Sequence, residues 1–378
     1  MKPITSFVLG LLLLSFAIAP SGKAEPIQVG VALRFTPDMN SNAGDLYEGI
    51  QLAADDFNEK NPKIAVKLVK YPHKNGHDSV EDAAQKIVDD KVQYVIGGEM
   101  SDEAFTLAET FKDHSILFLT PTASNPLLTA GNPLTFRTCF SDDDVAREFA
   151  KALAAKKSIH SVGVLHNTAS AYSDYVTNAF LDRYEALVGK RVTLHEFRYA
   201  GEAPQFDSAV EEFKKAKVDT VVAFTLLQPL KSFYTAAQKA GLNPLYVGSD
   251  GWGTTEGLLK DIPGFTGLRN DYWNPNERFL AAALFKKAIQ KKYDHPANAW
   301  NAQGYDTAWV LFQAIARASA QSKAKSKDVT VDDVAKVLRS DTFRGTVTAR
   351  SIRFGRNQTA EKKMELYRIG SGEGKKLK

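Results

Sequence analysis

Apolar and polar residues alternate along the chain with two different periods. Between Ile27 and Leu33 every second residue is apolar, as in a β-strand, and between Leu46 and Phe57 apolar residues recur at helical spacing. The same rhythm continues downstream. It predicts strands at residues 64–69, 92–96 and 116–119 and helices at residues 79–88 and 101–111.

A second series of the same kind begins near Val162. Its strands are predicted at residues 162–165, 192–197, 220–224 and 245–247, and its helices at residues 172–187, 206–215 and 230–240. Strands that alternate with helices of this length are typical of βαβ units, which build parallel sheets covered on both faces. Each series spans about 120 residues, a length that suits a separate lobe. We therefore predict an α/β fold of two lobes, each a mainly parallel sheet flanked by helices.

The chain after Asn270 is mainly helical. Long helices are predicted at residues 276–293 and 302–318, and the stretch 319–327, rich in lysine and serine, is typical of a solvated loop. Two strands are predicted at residues 351–354 and 364–369. The polar tail 371–378 is expected to fray.

Residues 1–24 have the layout of a secretory signal peptide. Lys2 is followed by an apolar run over residues 7–19, and Gly22 and Ala24 supply small residues ahead of a cut before Glu25. The run is shorter than the ~18 apolar residues that a membrane-spanning helix needs. We predict that residues 1–24 are removed and that the mature protein is exported, with a Gram-negative periplasm as the best fit.

Charge and cysteine content narrow the possible partners. Without residues 1–24, which hold two lysines and no acid, 46 basic face 44 acidic side chains, so no strong field favours nucleic acid or an anionic membrane. Cys139 is the single cysteine, so it cannot form an intramolecular disulfide, and no cysteine near the cut offers a lipid anchor.

The sequence carries no recognisable catalytic or metal-binding motif. It has no HExxH pair and no GxSxG elbow, and Cys139 lacks a catalytic setting. His73 and His77 lie in a segment with Pro72, Asn75 and Gly76 and are expected to be surface residues rather than metal ligands. We therefore expect no enzyme activity, no metal and no cofactor.

Three loops that follow predicted strands carry the candidate chemistry, because ligands of open parallel sheets bind beyond the carboxyl ends of the strands. Ser101 follows one strand and opens a helix, the hydroxyl-rich segment 120–126 follows the next, and Asp250 follows the strand at 245–247. Helix caps and a plain turn are the simpler interpretation. If the loops face one crevice, a helix start and hydroxyl donors suit a carboxylate and Asp250 suits a cation, a pair that matches an α-amino acid.

Six short segments occur in an order and spacing that are specific when taken together. They are Gly49-Ile50-Gln51-Leu52-Ala53, Ser101 after the pair Gly97-Gly98, Thr120-Pro121-Thr122-Ala123-Ser124-Asn125-Pro126, Phe136-Arg137-Thr138-Cys139, Ala171-Tyr172-Ser173 and Gly304-Tyr305-Asp306. Through them nearly all of the mature chain resembles the type I periplasmic substrate-binding proteins of the leucine/isoleucine/valine-binding family. The resemblance implies two α/β lobes joined by three crossovers, near Ser141, Asn270 and Gly345. Lobe 1 would comprise residues 25–142 plus 271–346, and lobe 2 residues 143–270 plus 347–378.

The resemblance also implies a ligand site at matching positions. Ser101, Thr122, Ala123 and Ser124 would hold a ligand carboxylate, Tyr172 would close from lobe 2, and Asp250 would hold the ammonium group. Asp250 stands where branched-chain binders commonly have a glutamate, and the usual disulfide of lobe 1 is absent. The ligand side chain would lie among Phe35, Asn42, Ala43, Phe224 and Trp252, for which ordinary core packing is an equal alternative.

The expected function is that of the binding component of an ABC importer, which closes on an amino acid or a related small polar ligand and delivers it to a permease in the inner membrane. We expect a monomer. Two alternatives stay open: a binding protein that docks on a membrane sensor, and the same fold with an amide, an aromatic acid or an apolar molecule as ligand.

Overall fold

The computed structural model of the protein describes residues 25–35, 42–201, 204–274, 276–321, 329–370 and 375–376. The predicted signal peptide, residues 1–24, lies outside this part of the chain, as does most of the loop predicted at 319–327 and of the tail. Among the described residues, no helix combines the length and the apolar composition needed to cross a membrane.

The first sheet consists of five parallel strands in the order β2-β1-β3-β4-β5. The strands are β1 (Ile27–Ala32), β2 (Val66–Lys70), β3 (Tyr94–Gly97), β4 (Leu117–Thr120) and β5 (Thr135–Arg137). The first three are followed by α1 (Ala43–Lys60), α2 (His77–Asp89) and α3 (Ser101–Lys112). Alternate residues of each strand pack on opposite sides, so that Ile96 lies in the cluster with α1 and Val95 in the cluster with α2 and α3. Both faces are covered, as a parallel sheet requires.

The second sheet repeats this architecture in the next part of the chain. Its elements are α4 (Asp142–Ala154), β6 (Ser161–Asn167), α5 (Ala171–Val188), β7 (Thr193–Tyr199), α6 (Asp207–Lys215), β8 (Thr220–Val222), α7 (Leu227–Lys239), β9 (Leu245–Val247), α8 (Thr255–Asp261) and β10 (Gly267–Asn270). Strands β6 to β10 are parallel, and α4 packs against α5. The two-lobed α/β fold predicted from the sequence is confirmed.

The C-terminal part of the chain contributes to both lobes. It forms α9 (Leu280–Tyr293), α10 (Ala299–Gln321), α11 (Val331–Ser340), the hairpin of β11 (Phe343–Arg344) and β12 (Ser351–Ile352), and then β13 (Leu366–Ile369) and β14 (Lys375–Lys376). Helix α10 packs on α1 and α11 packs on α10, so these helices belong with the first sheet. Strand β13 pairs antiparallel with β10, and β14 pairs antiparallel with β13, which extends the second sheet to seven strands.

Several predicted boundaries are wrong. The helix expected from residue 276 begins at Leu280, after Phe279 in an extended conformation, and the one expected to end at 318 continues to Gln321. The strand predicted at 351–354 ends at Ile352. Several elements were missed. They include β5, β10 and α8, whose three to seven residues carry too few positions to show a period, and the ten-residue helix α11.

His73 and His77 differ in exposure. His77 is the first residue of α2 and its side chain is exposed. His73 is buried, with 2% of its surface exposed, so the expectation that it lies on the surface is wrong. Its backbone N–H donates to the Leu33 carbonyl, which draws this loop across the end of β1. Burial lowers the pKa of His73.

The contacts of residues 351–360 bear on the position of the third crossover. Ile352 pairs with Phe343 in the hairpin, Thr359 forms a bridge with Arg137 at the end of β5, and the Phe354 ring packs edge-on against Phe136 at 5.2 Å. Residues 351–360 therefore pack on the first lobe, although the expected boundary at residue 346 assigns them to the second. We propose that the chain crosses between Glu361 and Leu366, and we retain the first two crossovers near Ser141 and Asn270.

Helices α1 and α10 cross at two glycines. A Cβ atom at Gly304 would lie 2.1 Å from the Leu46 carbonyl oxygen, and one at Gly49 would lie 1.9 Å from the Asn301 carbonyl oxygen. No side chain fits at such distances. The two backbones therefore approach more closely than they could with any other residue type at positions 49 and 304.

We expect Gly304→Ala to lower the free energy of unfolding by about 2 kcal/mol, because overpacking outweighs the about 1 kcal/mol that alanine gains over glycine inside a helix. Urea denaturation measures the change. Gly44→Ala is the matched control, since Gly44 lies in α1 with no atom within 4 Å of its Cβ position. An equal loss of stability in both variants would show that the close helix crossing is not the reason for the loss in Gly304→Ala.

Candidate functional site

A cavity of about 380 Å³ lies between the two lobes. On the first lobe it is bounded by the loops that follow β1, β3 and β4, and on the second by the loops that follow β8 and β9 and by the start of α5. Its position matches the rule that open α/β sheets bind ligands at the carboxyl ends of their strands. The volume is in the range of about 300–1,000 Å³ common for small-molecule sites.

Five of the six predicted site residues border this cavity. They are Ser101, Thr122, Ser124, Tyr172 and Asp250. Ala123 is not among the described residues of the wall: it is buried behind it, with its N–H donated to the Thr120 hydroxyl at 3.1 Å. The structure thus brings together residues from three loops and one helix start, and it gives Ala123 no place at the cavity surface.

The first-lobe wall combines hydroxyl groups with the start of α3. Met100, not Ser101, is the N-cap residue, so the capping role expected for Ser101 is wrong and its hydroxyl is not used as a cap. That hydroxyl accepts a hydrogen bond from the Asn125 N–H at 3.4 Å, and the Thr122 hydroxyl donates to the Glu99 carbonyl at 2.8 Å. The first N–H groups of a helix lack partners within the helix, which makes this wall suited to an anion.

Asp250 supplies the negative charge of the opposite wall. It lies in a single 3-10 turn after β9 and is buried. The Tyr272 hydroxyl donates to its carboxylate, and the Asn270 side chain does so at 3.4 Å. Burial raises the pKa of Asp250, although the Tyr272 hydrogen bond and the Arg269 charge act in the opposite direction. No cation of the described chain forms an ion pair with it, so the carboxylate can accept a positive group from the cavity.

Asp142 is a second buried carboxylate behind the same region. It is the first residue of α4, and its N–H donates to the Ser124 carbonyl at 3.0 Å. The side chain is fully buried. Burial raises the pKa of Asp142 well above its usual range, and the charge of Asp250 adds to this effect.

The lobes also contact each other directly at the edge of the cavity. The Asn125 side chain donates to the Ala171 carbonyl at 2.7 Å, and the Ala171 N–H donates to the Asp102 carboxylate at 3.0 Å. Ala171 opens α5, so these bonds bring Tyr172 over the cavity from the second lobe. The Tyr172 hydroxyl is hydrogen-bonded to Ser249.

Sequence reasoning missed several residues of the wall. Arg34 and Glu99 follow β1 and β3, and residues 226–229 follow β8, so inspection of every strand end would have found them. Arg34 forms a buried ion pair with Glu103 at 2.5 Å. Trp300 reaches the cavity from the start of α10, a placement that depends on the helix crossing and has no local signal.

The residues expected around the ligand side chain divide into two groups. Asn42 and Trp252 border the cavity. Phe35, Ala43 and Phe224 are not among the described residues of its wall. Phe224 packs edge-on against Phe149 and Phe180 at ring distances of 5.5 and 5.4 Å, which is the core packing weighed as the alternative.

The buried carboxylate of Asp142 predicts a pH-dependent effect. A raised pKa means that the folded state holds this proton at a pH where the unfolded state, with a pKa near 3.9, releases it, so the residue opposes folding at neutral pH. We expect Asp142→Asn to raise the free energy of unfolding at pH 7 by about 1 kcal/mol or more, with the gain shrinking towards pH 4. Denaturation at pH 7, 6 and 5 measures this.

Asp143→Asn is the control for this prediction. Asp143 is the next residue of α4 but is half-exposed and pairs with Arg183 at 2.7 Å. We expect it to lose at most about 1 kcal/mol, as exposed ion pairs do. A loss of stability in Asp142→Asn at pH 7 would argue that the carboxylate is needed in its charged form.

The chain matches the sequence model of the periplasmic binding protein family over residues 26–375. The Leu/Ile/Val-binding protein BraC3 of Rhizobium johnstonii is 27% identical over 332 residues, which cover 85% of this chain and 87% of that protein. The resemblance noted in the sequence is thereby confirmed.

Solved structures show the same fold. A leucine-binding protein of Thermotoga maritima superposes with a TM-score of 0.81 at 22% identity, covering 93% of this chain and 98% of its own. A solute-binding protein of an ABC transporter from R. palustris, solved with 4-hydroxybenzoate, superposes with a TM-score of 0.79 at 17% identity, covering 93% and 95%. The match to the family model extends over both lobes and includes every loop of the cavity wall. The chain belongs to the periplasmic binding protein family.

Proposed function

We propose that this protein is the substrate-binding component of an ABC importer and captures an α-amino acid, or a close relative of one, between its lobes. One observation carries the proposal. A buried carboxylate, Asp250, borders the same cavity as the hydroxyl groups of Ser101, Thr122 and Ser124. A ligand with an ammonium and a carboxylate group satisfies both walls.

The residue roles follow from the chemistry of each wall. Ser101, Thr122 and Ser124, with the start of α3, bind the ligand carboxylate. Asp250 binds the ammonium, and Tyr172 closes over the ligand from the second lobe. An ammonium group beside Asp250 would favour its charged form and so offset the effect of burial on its pKa.

The relatives agree with this ligand class. The Rhizobium protein is named for leucine, isoleucine and valine, and the Thermotoga protein for leucine. An aromatic acid such as 4-hydroxybenzoate, found in the R. palustris protein, has a carboxylate but no cation. It would leave Asp250 buried beside an uncharged group, which disfavours this alternative ligand.

Closure is the proposed mechanism. The ligand contacts groups of both lobes only when they meet, so binding stabilises the closed form by the contacts that the open form lacks. We propose that the mature protein works as a monomer in the periplasm after removal of residues 1–24, and that its closed form delivers the ligand to the permease. The family consists of binding proteins, which accords with the lack of a catalytic motif in the sequence.

The first test is a thermal-shift screen of the mature protein after unfolding and refolding to remove bound ligand. The compounds are the amino acids, their amides, and aromatic acids including 4-hydroxybenzoate. A ligand at 100 times its dissociation constant stabilises the folded state by about 2.7 kcal/mol, enough to raise the melting temperature measurably. We expect a shift with one group of amino acids. A rise in melting temperature with aromatic acids alone would contradict the proposal that the ligand is an α-amino acid.

The second test addresses Asp250. We expect Asp250→Asn to weaken binding of the amino acid found in the screen by about 30-fold or more, because loss of one partner of a buried charge pair costs about 2 kcal/mol or more. Isothermal titration calorimetry measures the affinity.

Asp261→Asn is the matched control, since Asp261 borders the same cavity but is half-exposed beside Lys260. We expect a change of less than about fivefold, as for an exposed charge. The reverse order of effects would place the ammonium at Asp261 and contradict the assignment of Asp250.

A further inference from the structure

Three potential metal ligands converge at the first-lobe rim of the cleft, outside the cavity wall. Asp45 and Glu48 lie three residues apart at the start of α1, a spacing that puts both on one face of the helix. His295 lies in the short segment between α9 and α10. One oxygen from each carboxylate and one ring nitrogen of His295 all lie within 4.8 Å of one another.

Each of the three side chains is held by a residue outside the trio. The Asn298 side chain donates to Asp45 at 2.7 Å, and the Asn301 side chain donates to Glu48 at 3.1 Å. The Nδ1 atom of His295 lies 2.9 Å from the Pro296 carbonyl, which requires a proton on Nδ1. Second partners of this kind orient metal ligands and fix the histidine tautomer in protein metal sites.

The histidine therefore directs its other nitrogen at the carboxylates. Its Nε2 atom lies 2.8 Å from Glu48, a distance that either a second proton or a shared cation can bridge. His295 is the one group of the described chain that forms an ion pair with Glu48. Asp45 accepts a hydrogen bond from the neutral amide of Asn298. Two carboxylates thus face a single imidazole in a half-buried position, so the cluster carries excess negative charge.

We propose that Asp45, Glu48 and His295 form a binding site for a divalent transition-metal ion, for which Zn²⁺ is the representative. One imidazole with two carboxylates suits Zn²⁺, whereas Ca²⁺ takes six to eight oxygen ligands and Mg²⁺ prefers oxygens alone. Three protein ligands leave a fourth position for water. Sequence reasoning, which led us to expect no metal, could not detect this site, because His295 is 247 residues from Glu48 and the three ligands follow no motif.

The site connects two segments that also form the cleft. Asn42, directly before α1, donates its N–H to Glu99, and both residues border the cavity. Trp300 lies between Asn298 and Asn301 in the sequence and also borders the cavity. A bound ion would fasten the start of α1 to the start of α10 and so stiffen this rim of the first lobe, whatever ligand the cavity takes.

The test uses untagged mature protein without cavity ligand, titrated with Zn²⁺ by calorimetry, with Co²⁺ absorption as a second readout. We expect one Zn²⁺ per chain and a rise in melting temperature. His295→Gln and Asp45→Asn should each weaken Zn²⁺ binding about tenfold or more and remove the visible bands of bound Co²⁺. Both positions are half-exposed, and circular dichroism of the metal-free variants checks that they fold.

His77→Gln is the matched control. His77 is an exposed histidine that also has two acidic neighbours, with Nδ1 3.8 Å from Asp78 and 3.6 Å from Glu81, but without supporting side chains. Its loss should leave Zn²⁺ binding unchanged. The proposal is overturned if Zn²⁺ does not bind, if His295→Gln binds as the parent protein does, if His77→Gln abolishes binding, or if Mg²⁺ or Ca²⁺ binds as tightly as Zn²⁺.

Discussion

The close approach of α1 and α10 is the constraint on which the rest of the structure depends. Gly49 and Gly304 let the two backbones meet without an intervening side chain, and this contact returns α10, with α11 packed on it, to the first lobe. Because α10 is fixed there, Trp300 reaches the cavity and Asn301 reaches Glu48. The lobe is therefore completed by residues from distant parts of the sequence.

Two buried carboxylates near the cavity, Asp250 and Asp142, oppose folding when they are ionised. Burial raises the pKa of both, and the charge of Asp250 raises the pKa of Asp142 further. Isolated buried charges are costly in proteins unless a partner compensates them. A binding protein can place such a charge in its cleft because the ligand supplies the missing partner. The free energy that the unpaired charge costs the empty protein is then recovered only when a ligand of the right charge binds.

Local sequence predicted the repeated strand and helix pattern well, because buried parallel strands and amphipathic helices each leave a period in the chain. Because strand ends converge at one edge of a sheet, the loops that hold Ser101, Thr122, Ser124 and Asp250 could be singled out, and the family resemblance added Tyr172; all five border the cavity. Local sequence could not find Trp300 or His295, whose positions depend on a helix crossing. It also gave no sign that residues 351–360 contact Phe136 and Arg137, which lie far away in sequence and on which the proposed later crossover rests.

The hydrogen bonds that Ala171 forms with Asn125 and Asp102 involve no ligand atom. In the proposed closure mechanism these bonds favour the closed form with or without ligand, and so raise the fraction of empty molecules that are already closed. The apparent affinity of a binding protein scales with the population of its binding-competent state. Bonds that keep the empty form closed lower the fraction of molecules that a ligand can enter. The same bonds keep a bound ligand in the cleft for longer, so these two contacts balance slow ligand release against ligand uptake.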